Sequence, residues 1–350
     1  MMVSFRSLVA GLVSMAAAGI ASGSCASKQH QLVVKTHVNA GMSFNMVSSL
    51  IIGSEAAVLI DMPMAIPEAK ELAAWVRNTT DKPLVAVFTT HFHPDHYLSG
   101  GAFLEMFPTA KYYASSRAIE HMKSEAPAQV CITHTLISFV HVPTFQQVAR
   151  WQKTFGVDNI VSKTAIPVPF DHTFFTLPGD ESTPIELVGL LGGDTVDETL
   201  FWIPSTRTLI AGDTVYSHEL HLWIADLQTK ALTSSWIASL DLIESMKPET
   251  IVSGHALSAK GSTAPQNLAY SQAYLKFWQK SIEAKGTDFY TPEQIFAKFN
   301  SSFPGLLGNA VSSTLLNITA GQFGRGGTRQ YRGVDLTSYD NTTYLEGWKI

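Results

Sequence analysis

Hydrophobic and polar positions along the first part of the chain predict β-strands that pass into alternating strands and helices. Three early segments are rich in β-branched and apolar residues: HQLVVKTHV, SFNMVSSLIIGS and AAVLIDM. An amphipathic pattern then predicts a helix over Pro67 to Arg77, and the apolar run LVAVFTT predicts a short buried strand after it. This order favours an α/β fold.

The alternation continues as far as residue 124. The pattern predicts a helix over Gly101 to Phe107, a strand at AKYYAS and a helix from Ser115 to Ser124. Residues 127–170 fit less well, because they are aromatic and weakly periodic. We interpret them as an insertion able to form a lid.

Strand signals return in the second half of the chain, at HTFFTL, TPIELVGLL, TLFWIP, TRTLIAGD and, after a helix over Leu232 to Met246, at TIVSG. Two later segments predict C-terminal helices, and the second, TPEQIFAKF, opens with a helix-start signal. The tail from Gly321 has no period. The sequence therefore predicts a main domain over 25–265, a helical extension over 266–320 and an irregular tail over 321–350.

The first residues, MMVSFRSLVAGLVSMAAAGIASGSCAS, carry one arginine, an apolar run from Leu8 to Ala21 and then small residues. This order predicts a secretory signal peptide over 1–24 and a secreted, extracellular protein. A retained anchor is the alternative, although the run is short for a membrane span. Glycosylation sequons would suit a secreted glycoprotein and lie at Asn78, Asn300, Asn317 and Asn341.

Composition narrows the class of partner. The chain has 350 residues, 45% of them apolar, and a net charge of −5, so it can bury a substantial core but offers no positive field for nucleic acid or an anionic membrane. We expect a small-molecule substrate, no nucleic acid and no membrane partner, and we leave the oligomeric state open. The two cysteines, Cys25 and Cys131, set no disulfide framework.

Four metal-binding residue types follow the predicted buried strand in the stretch FTTHFHPDHYLSGG. They are His91, His93, Asp95 and His96. Imidazole and carboxylate suit zinc, iron or manganese. Residues two apart in an extended chain point the same way, and the next turn brings the later pair to a second centre. One motif can therefore begin two metal sites. The alternative is a solvated loop or a set of hydrogen-bonded core histidines.

With its T-H-x-H-x-D-H pattern over Thr90 to His96, the sequence resembles the metallo-β-lactamase superfamily. The segment VLIDM matches the family segment that would place Asp61 in support of the metals. LIAGDTVYS matches the strand that ends in the bridging carboxylate, here Asp213, and IVSGH matches the last metal histidine, here His255. The resemblance spans roughly residues 30 to 260. It implies an αβ/βα four-layer sandwich with a dinuclear metal site at the strand ends.

One expected ligand of this family is missing. The usual G-H-T turn is replaced by GLLGGDTVDETLFWIP, and no histidine lies between His172 and His218. Alignment back from Pro204 places Asp194 or Gly192 at that point. We predict that Asp194 replaces the histidine, because aspartate binds these metals through oxygen; a turn-capping role is the alternative. The first centre would then be His91, His93 and Asp194, and the second Asp95, His96 and His255, with Asp213 bridging them.

The resemblance implies two divalent metal ions, with zinc as the first choice. The extra carboxylate makes iron or manganese an alternative. Such a pair lowers the pKa of a shared water, so that metal-bound hydroxide attacks the carbonyl of a lactone, lactam or ester, with Asp95 as proton donor to the leaving group. Alternatives are a non-catalytic or mono-metal binding protein, or an iron-type redox relative. Candidate substrate contacts lie in TVYSHELHLWIAD and are Tyr216, His218, His221 and Trp223.

Overall fold

The computed structural model describes residues 31–125, 147–330 and 333–339. The predicted signal peptide, Cys25, Cys131, Asn341, much of the predicted lid and the end of the tail lie outside the described residues. The described residues belong to one compact unit that starts at Gln31.

Six strands form the first sheet in the order of the sequence. They are β1 (Val33–Asn39), β2 (Met46–Ile52), β3 (Ala57–Ile60), β4 (Leu84–Phe88), β5 (Lys111–Ala114) and β6 (Val168–Pro169). The pairs β1–β2 and β2–β3 are antiparallel, whereas β3 to β6 run parallel. Parallel neighbours need crossover connections. The first of these is the predicted helix, which spans Ile66–Thr79 and is named α1.

Five strands form the second sheet. Their spatial order is β11 (Thr250–Val252), β10 (Thr208–Ile210), β9 (Glu198–Ile203), β8 (Ile185–Leu191) and β7 (Phe174–Phe175). The sheet is antiparallel except for β10 and β11, which are parallel and joined through the helix α5 (Lys230–Met246). Helix α5 begins after Thr229, whose hydroxyl accepts a hydrogen bond from the Leu232 backbone N–H.

The remaining helices are α2 (Gly100–Leu104), α3 (Ser116–Glu125), α4 (Gln147–Phe155), α6 (Ala259–Ser262), α7 (Asn267–Ser281), α8 (Pro292–Ser302) and α9 (Ala310–Phe323). The predicted helical extension over 266–320 contains most of α9, but no individual helix was predicted over α9 itself. Its segment AVSSTLLNITAGQF is apolar or small on most faces and gives little helical periodicity. Helix α4 lies in the predicted insertion. Helix α8 starts at the predicted signal, with a capping box between Thr291 and Gln294.

Three apolar layers hold the sheets and helices together. Between the sheets, Ile60 and Phe88 of the first sheet pack with Phe201 and Ile203 of the second. Helix α1 covers the outer face of the first sheet, and α5 and α7 cover the outer face of the second, with α8 and α9 packed beside them. This is the four-layer αβ/βα sandwich with C-terminal helices that the resemblance implied. Among the described helices, none is both long and apolar enough to cross a membrane.

Candidate metal centre

The predicted ligands lie in loops that follow strands along one edge of the sandwich. His91 and His93 come directly after β4, and Asp95 and His96 lie in the 3₁₀ turn Pro94–His96. Asp194 is in the loop between β8 and β9, Asp213 is in the 3₁₀ turn after β10, and His255 follows β11. Segments more than a hundred residues apart therefore meet at one place.

The structure brings these seven residues together in two groups. One contains His91, His93, Asp194 and Asp213, and the other Asp95, His96 and His255, and within each group one ligand atom per residue lies within 4.8 Å of all the others. Asp213 joins the groups, since its Oδ1 is 3.2 Å from His96 Nε2 and its Oδ2 is 3.1 Å from His255 Nε2. The structure thus brings all seven predicted ligands together, and Asp194 lies beside His91 and His93.

The buried lone pairs fit a cation. His91 Nε2, Asp194 Oδ1 and Asp213 Oδ1 are buried and make no hydrogen bond of normal geometry within the described part of the chain, although Asp213 Oδ1 lies 3.2 Å from His96 Nε2. Burying such atoms unpaired costs free energy, and more so for a carboxylate than for a neutral group. Bound metal ions would satisfy all three, so the donor set and its environment suit the metals that the family implies.

Hydrogen bonds from outside the ligand set fix three of the histidine rings. His93 Nε2 lies 2.8 Å from Asp226 Oδ2, which leaves its Nδ1 facing Asp194 Oδ2 at 3.1 Å. His255 Nδ1 is 2.8 Å from the carbonyl oxygen of Phe44. His96 Nδ1 is bonded in the same way to the carboxylate of Asp61, the residue that follows β3. Such partners select the tautomer and orient the free nitrogen towards a metal.

Asp61 is the supporting carboxylate predicted from VLIDM. Its Oδ2 lies 2.9 Å from His96 Nδ1, and the Thr90 backbone N–H and hydroxyl both donate to the same carboxylate. Its backbone φ of 66° is in the left-handed region, which costs an L-residue roughly 1–2 kcal/mol. The hydrogen bonds to Thr90 and His96 offset this strain, and the bond to His96 orients the ring of that candidate ligand.

In the metal-free site, burial and neighbouring charges shift the pKa values of the candidate ligands in different directions. Burial lowers the pKa of His91 well below its usual value, and the nearby histidines lower it further. Burial raises the pKa of Asp194 to about 7, although His93 opposes the rise. The pKa of His255 is raised to about 10, because Asp213 and Asp95 outweigh its burial. Metal binding must therefore displace protons, and we expect metal affinity to fall in acid.

A pocket leads to the two groups, with about 500 Å³ of empty space that includes the solvent at its mouth. Its apolar walls come from distant parts of the chain: Phe44, Trp151, Trp223, Leu315 and Ile318. Arg150 is the one arginine or lysine among the described lining residues. Five candidate ligands also line the pocket, namely His93, Asp95, Asp194, Asp213 and His255. The two ligand groups therefore lie at an opening whose walls are mainly apolar.

The four predicted substrate contacts have different positions. Trp223 lines the pocket, and its Nε1–H donates to Asp226 Oδ2 at 2.9 Å. Tyr216 also lines it, but is buried, and its hydroxyl donates to Asp213 Oδ2 at 2.7 Å and lies 2.9 Å from Asp194 Oδ2. Tyr216 therefore supports the ligands more than it forms an aromatic wall.

The prediction for His218 and His221 needs correction, because neither is among the described residues that line this pocket. His221 is fully buried, and its Nδ1 is 3.0 Å from the hydroxyl of Tyr274 on α7. His218 Nδ1 lies 3.0 Å from Asn267 Oδ1 at the start of the same helix. The loop turns inwards because its apolar residues pack against the C-terminal helices, which the sequence had indicated only as an extension.

Several residues of the site were missed at the level of sequence. Asp226 and Glu198 are fully buried acids beside candidate ligands, and Leu315 and Ile318 belong to the helix that was not predicted. The sequence does carry a signal for Asp226 and Glu198, because each acid lies within or next to an apolar run, in HLWIAD and DETLFWI respectively. A buried acid requires a partner, which the run itself does not contain.

Comparison with known proteins places the chain in a family. The sequence profile of the metallo-beta-lactamase superfamily matches residues 43–255, which is more than half of the chain. The protein therefore belongs to the metallo-β-lactamase superfamily, whose members are generally hydrolases.

Individual relatives are distant. A linear primary-alkylsulfatase from Pseudomonas sp. (strain ATCC 19151) is 22% identical over 229 residues, which are 61% of this chain and 42% of the relative, so the chain spans less than half of that protein. A metallo-beta-lactamase from Pontibacter korlensis is 18% identical, with a TM-score of 0.44 over 71% of this chain and 99% of the other. The DIM-1 metallo-beta-lactamase is 15% identical, with a TM-score of 0.41 over 70% and 97% of the two chains.

Proposed function

We propose that the protein is a dinuclear metal-dependent hydrolase that cleaves a lactone, lactam or ester with an apolar body. The observation that carries the proposal is the pair of ligand groups joined through Asp213, with three buried lone pairs unsatisfied, at the base of an apolar pocket. The first ion would be held by His91, His93 and Asp194, the second by Asp95, His96 and His255, and Asp213 would bridge them. When bound, the ions supply Lewis acidity, which polarises a carbonyl and lowers the pKa of water.

Asp95 is the side chain best placed to move a proton. It is 15% exposed, whereas every other candidate ligand is at least nine-tenths buried, and it faces the pocket. Its Oδ2 lies 3.3 Å from His255 Nε2. Burial raises its pKa, but His255 and His96 outweigh this effect and keep its pKa below the usual value. As a carboxylate it can accept a proton from the attacking water and pass it to the leaving group.

The pocket walls position the substrate and exclude water. Phe44 and Trp223 stand beside the ligands, and Trp151 from α4 and Leu315 from α9 complete an apolar surface. Apolar contact of this kind stabilises binding by about 25 cal/mol per Å² of buried surface. It holds the scissile group near Asp95 without adding charge.

A second candidate reaction is hydrolysis of a sulfate ester of an apolar alcohol. It is favoured by Arg150, the one arginine or lysine among the described lining residues, because a guanidinium binds an anionic ester well. The distant alkylsulfatase relative is named for such a substrate. Both reactions would use the same ligands and the same apolar walls. Only an activity measurement with each substrate therefore distinguishes the two proposals.

Elemental analysis and an activity panel test the proposal. We expect about two divalent ions per full-length chain, and turnover of at least one substrate among a lactone, a lactam, an aryl ester and an alkyl sulfate. His93→Ala should lower turnover by about 10³-fold or more, because it removes several kcal/mol of transition-state stabilisation. His172→Ala is the matched control, since His172 is exposed and lies outside the ligand set.

The following outcomes would contradict this proposal. A purified wild-type chain without metal would exclude a metallohydrolase. One ion per chain with no turnover of any substrate would instead favour the non-catalytic binding protein, and a redox-active iron pair would favour the iron-type relative. Wild-type turnover in His93→Ala would show that the hydrolysis takes place elsewhere.

We also propose that the protein is secreted and glycosylated. The proposal is supported by the apolar, small-residue N-terminal stretch and by the sequon residues Asn78, Asn300 and Asn317, all of which are exposed. Expression in a eukaryotic secretory host tests it. We expect protein in the medium whose mass falls after enzymatic removal of N-glycans, and retention of unglycosylated protein inside the cell would contradict it.

A further inference from the structure

Glu198 is a fully buried carboxylate that stands beside the first group of candidate ligands without belonging to it. It opens β9, and its Oε1 lies 3.4 Å from His91 Nδ1. Neither of its carboxylate oxygens has a hydrogen-bond partner of normal geometry among the described residues. A buried carboxylate of this kind costs several kcal/mol unless positive charge compensates it. Its position therefore requires an explanation.

Two glycines leave the space that this carboxylate fills. A Cβ atom at Gly193 would lie 2.5 Å from Glu198 Cγ, and one at Gly212 would lie 2.8 Å from Glu198 Oε2. Gly193 directly precedes Asp194, and Gly212 directly precedes Asp213. Both loops that carry carboxylate ligands of the first centre are thus shaped to admit Glu198.

The hydrogen bonds around His91 decide where its proton lies. The Thr90 hydroxyl donates to Asp61, so its oxygen, 2.8 Å from His91 Nδ1, is free to accept. Glu198 Oε1 is a second acceptor on the same side of the ring. The proton therefore resides on Nδ1, and the unpartnered Nε2 keeps its lone pair for the metal.

We propose that Glu198 is a positioning residue of the first metal centre, which holds the proton on His91 Nδ1, directs His91 Nε2 at the ion and supplies negative charge that the ion offsets. The inference rests on the proposed metal occupancy and deepens it. A carboxylate behind a ligating imidazole makes the metal-facing nitrogen more basic and fixes the ring. Glu198 has this relation to the first centre only, because no ion-pair or hydrogen-bond contact of the described residues joins it to Asp95 or His255.

Stepwise metal binding tests this role without any need for a substrate. Zn²⁺ alone is added to metal-stripped, full-length protein in competition with a chromophoric chelator. In Glu198→Gln we expect one of the two binding steps to weaken by about 10–100-fold, while the other changes by less than about threefold. Glu198→Asp keeps the charge but withdraws it from His91, so its loss should be intermediate. Glu68→Gln is the control, because Glu68 is a buried carboxylate bonded to the Met42 backbone N–H, away from the ligands.

Stability measured with and without metal separates positioning from ordinary packing. Metal-stripped Glu198→Gln should unfold at about the same temperature as the stripped wild type, while Zn²⁺ should stabilise it less. Burial raises the pKa of Glu198 well above its usual value when no metal is bound, so the amide replaces a neutral carboxyl group. If the glutamine variant does not fold, the aspartate variant carries the binding test. Wild-type affinity at both steps, equal weakening of both, or the same loss in Glu68→Gln would overturn the inference. A wild-type chain that binds no metal would contradict the proposed function itself.

Discussion

Replacing His221 with asparagine should make the folded chain less sensitive to acid. The imidazole is fully buried, its Nδ1 is 3.0 Å from the Tyr274 hydroxyl, and its Nε2 has no hydrogen-bond partner within the described residues. Burial lowers its pKa from an ordinary value near 6.5 to about 4. The ring is therefore neutral in the folded protein over most of the range in which the unfolded chain would take up a proton.

The sign and size of the effect follow from this difference. As the pH falls through 6.5, the unfolded chain binds a proton that the folded chain binds only near pH 4, so the free energy of unfolding decreases across that interval. At pH 5 the loss from this one group is about 2 kcal/mol, and below pH 4 it approaches about 3 kcal/mol. Above pH 7 the group contributes no pH dependence.

Urea unfolding at pH 7.5 and pH 5.0 measures the effect. The full chain is stripped of metal first, since metal binding is itself dependent on pH. His221→Asn places a polar atom near the position of Nδ1 and does not titrate, and its packing loss is common to both pH values and cancels. We expect the wild type to lose about 2 kcal/mol more than the variant between the two pH values.

The control for this measurement is His172→Asn, at an exposed histidine, which should lose as much as the wild type. An equal loss in wild type and His221→Asn would refute the reasoning, since it would mean that the ring is protonated in the folded state or is accessible to water.

Two further predictions concern the site. Tyr216→Phe removes the hydroxyl that donates to Asp213 and lies close to Asp194. We expect Zn²⁺ affinity, measured by chelator competition, to fall by about tenfold. Unchanged affinity would show that the hydroxyl does not order these carboxylates. Trp151→Ala and Leu315→Ala each remove part of the apolar wall. Each should raise KM for an apolar ester by roughly 5- to 150-fold, which corresponds to a loss of about 1–3 kcal/mol, with metal content unchanged. An effect on kcat alone would contradict a role in binding.

Local patterns carried enough information for the strands and for most of the candidate ligands. His91 to His96 lie within one short motif at the end of a buried strand, so their proximity needed no knowledge of distant packing. Asp213 and His255 also follow strands, and the ends of neighbouring strands meet at a common edge. Asp194 was harder, because no local feature distinguishes a ligand from a turn cap, and its role could be argued only from the family pattern.

The sequence patterns could not predict contacts between segments that are far apart in the chain. His221 looked like an exposed loop histidine, yet its loop packs under α7 and α8, about 50 to 80 residues further along the chain. Helix α9 lacks the polar face that marks an amphipathic helix, because it is packed on several sides. The walls formed by Leu315 and Ile318 were therefore missed together with that helix.

The pocket draws its chemistry and its walls from different stretches of the chain. Every candidate ligand lies between His91 and His255, whereas much of the apolar wall comes from α4 and α9. On the proposed function, mutations in one set of residues would change substrate preference, and mutations in another set would change bond cleavage. Changes in the two helices can redirect the protein to new substrates while the reactive centre stays constant, which makes these helices the natural targets for randomisation in directed evolution.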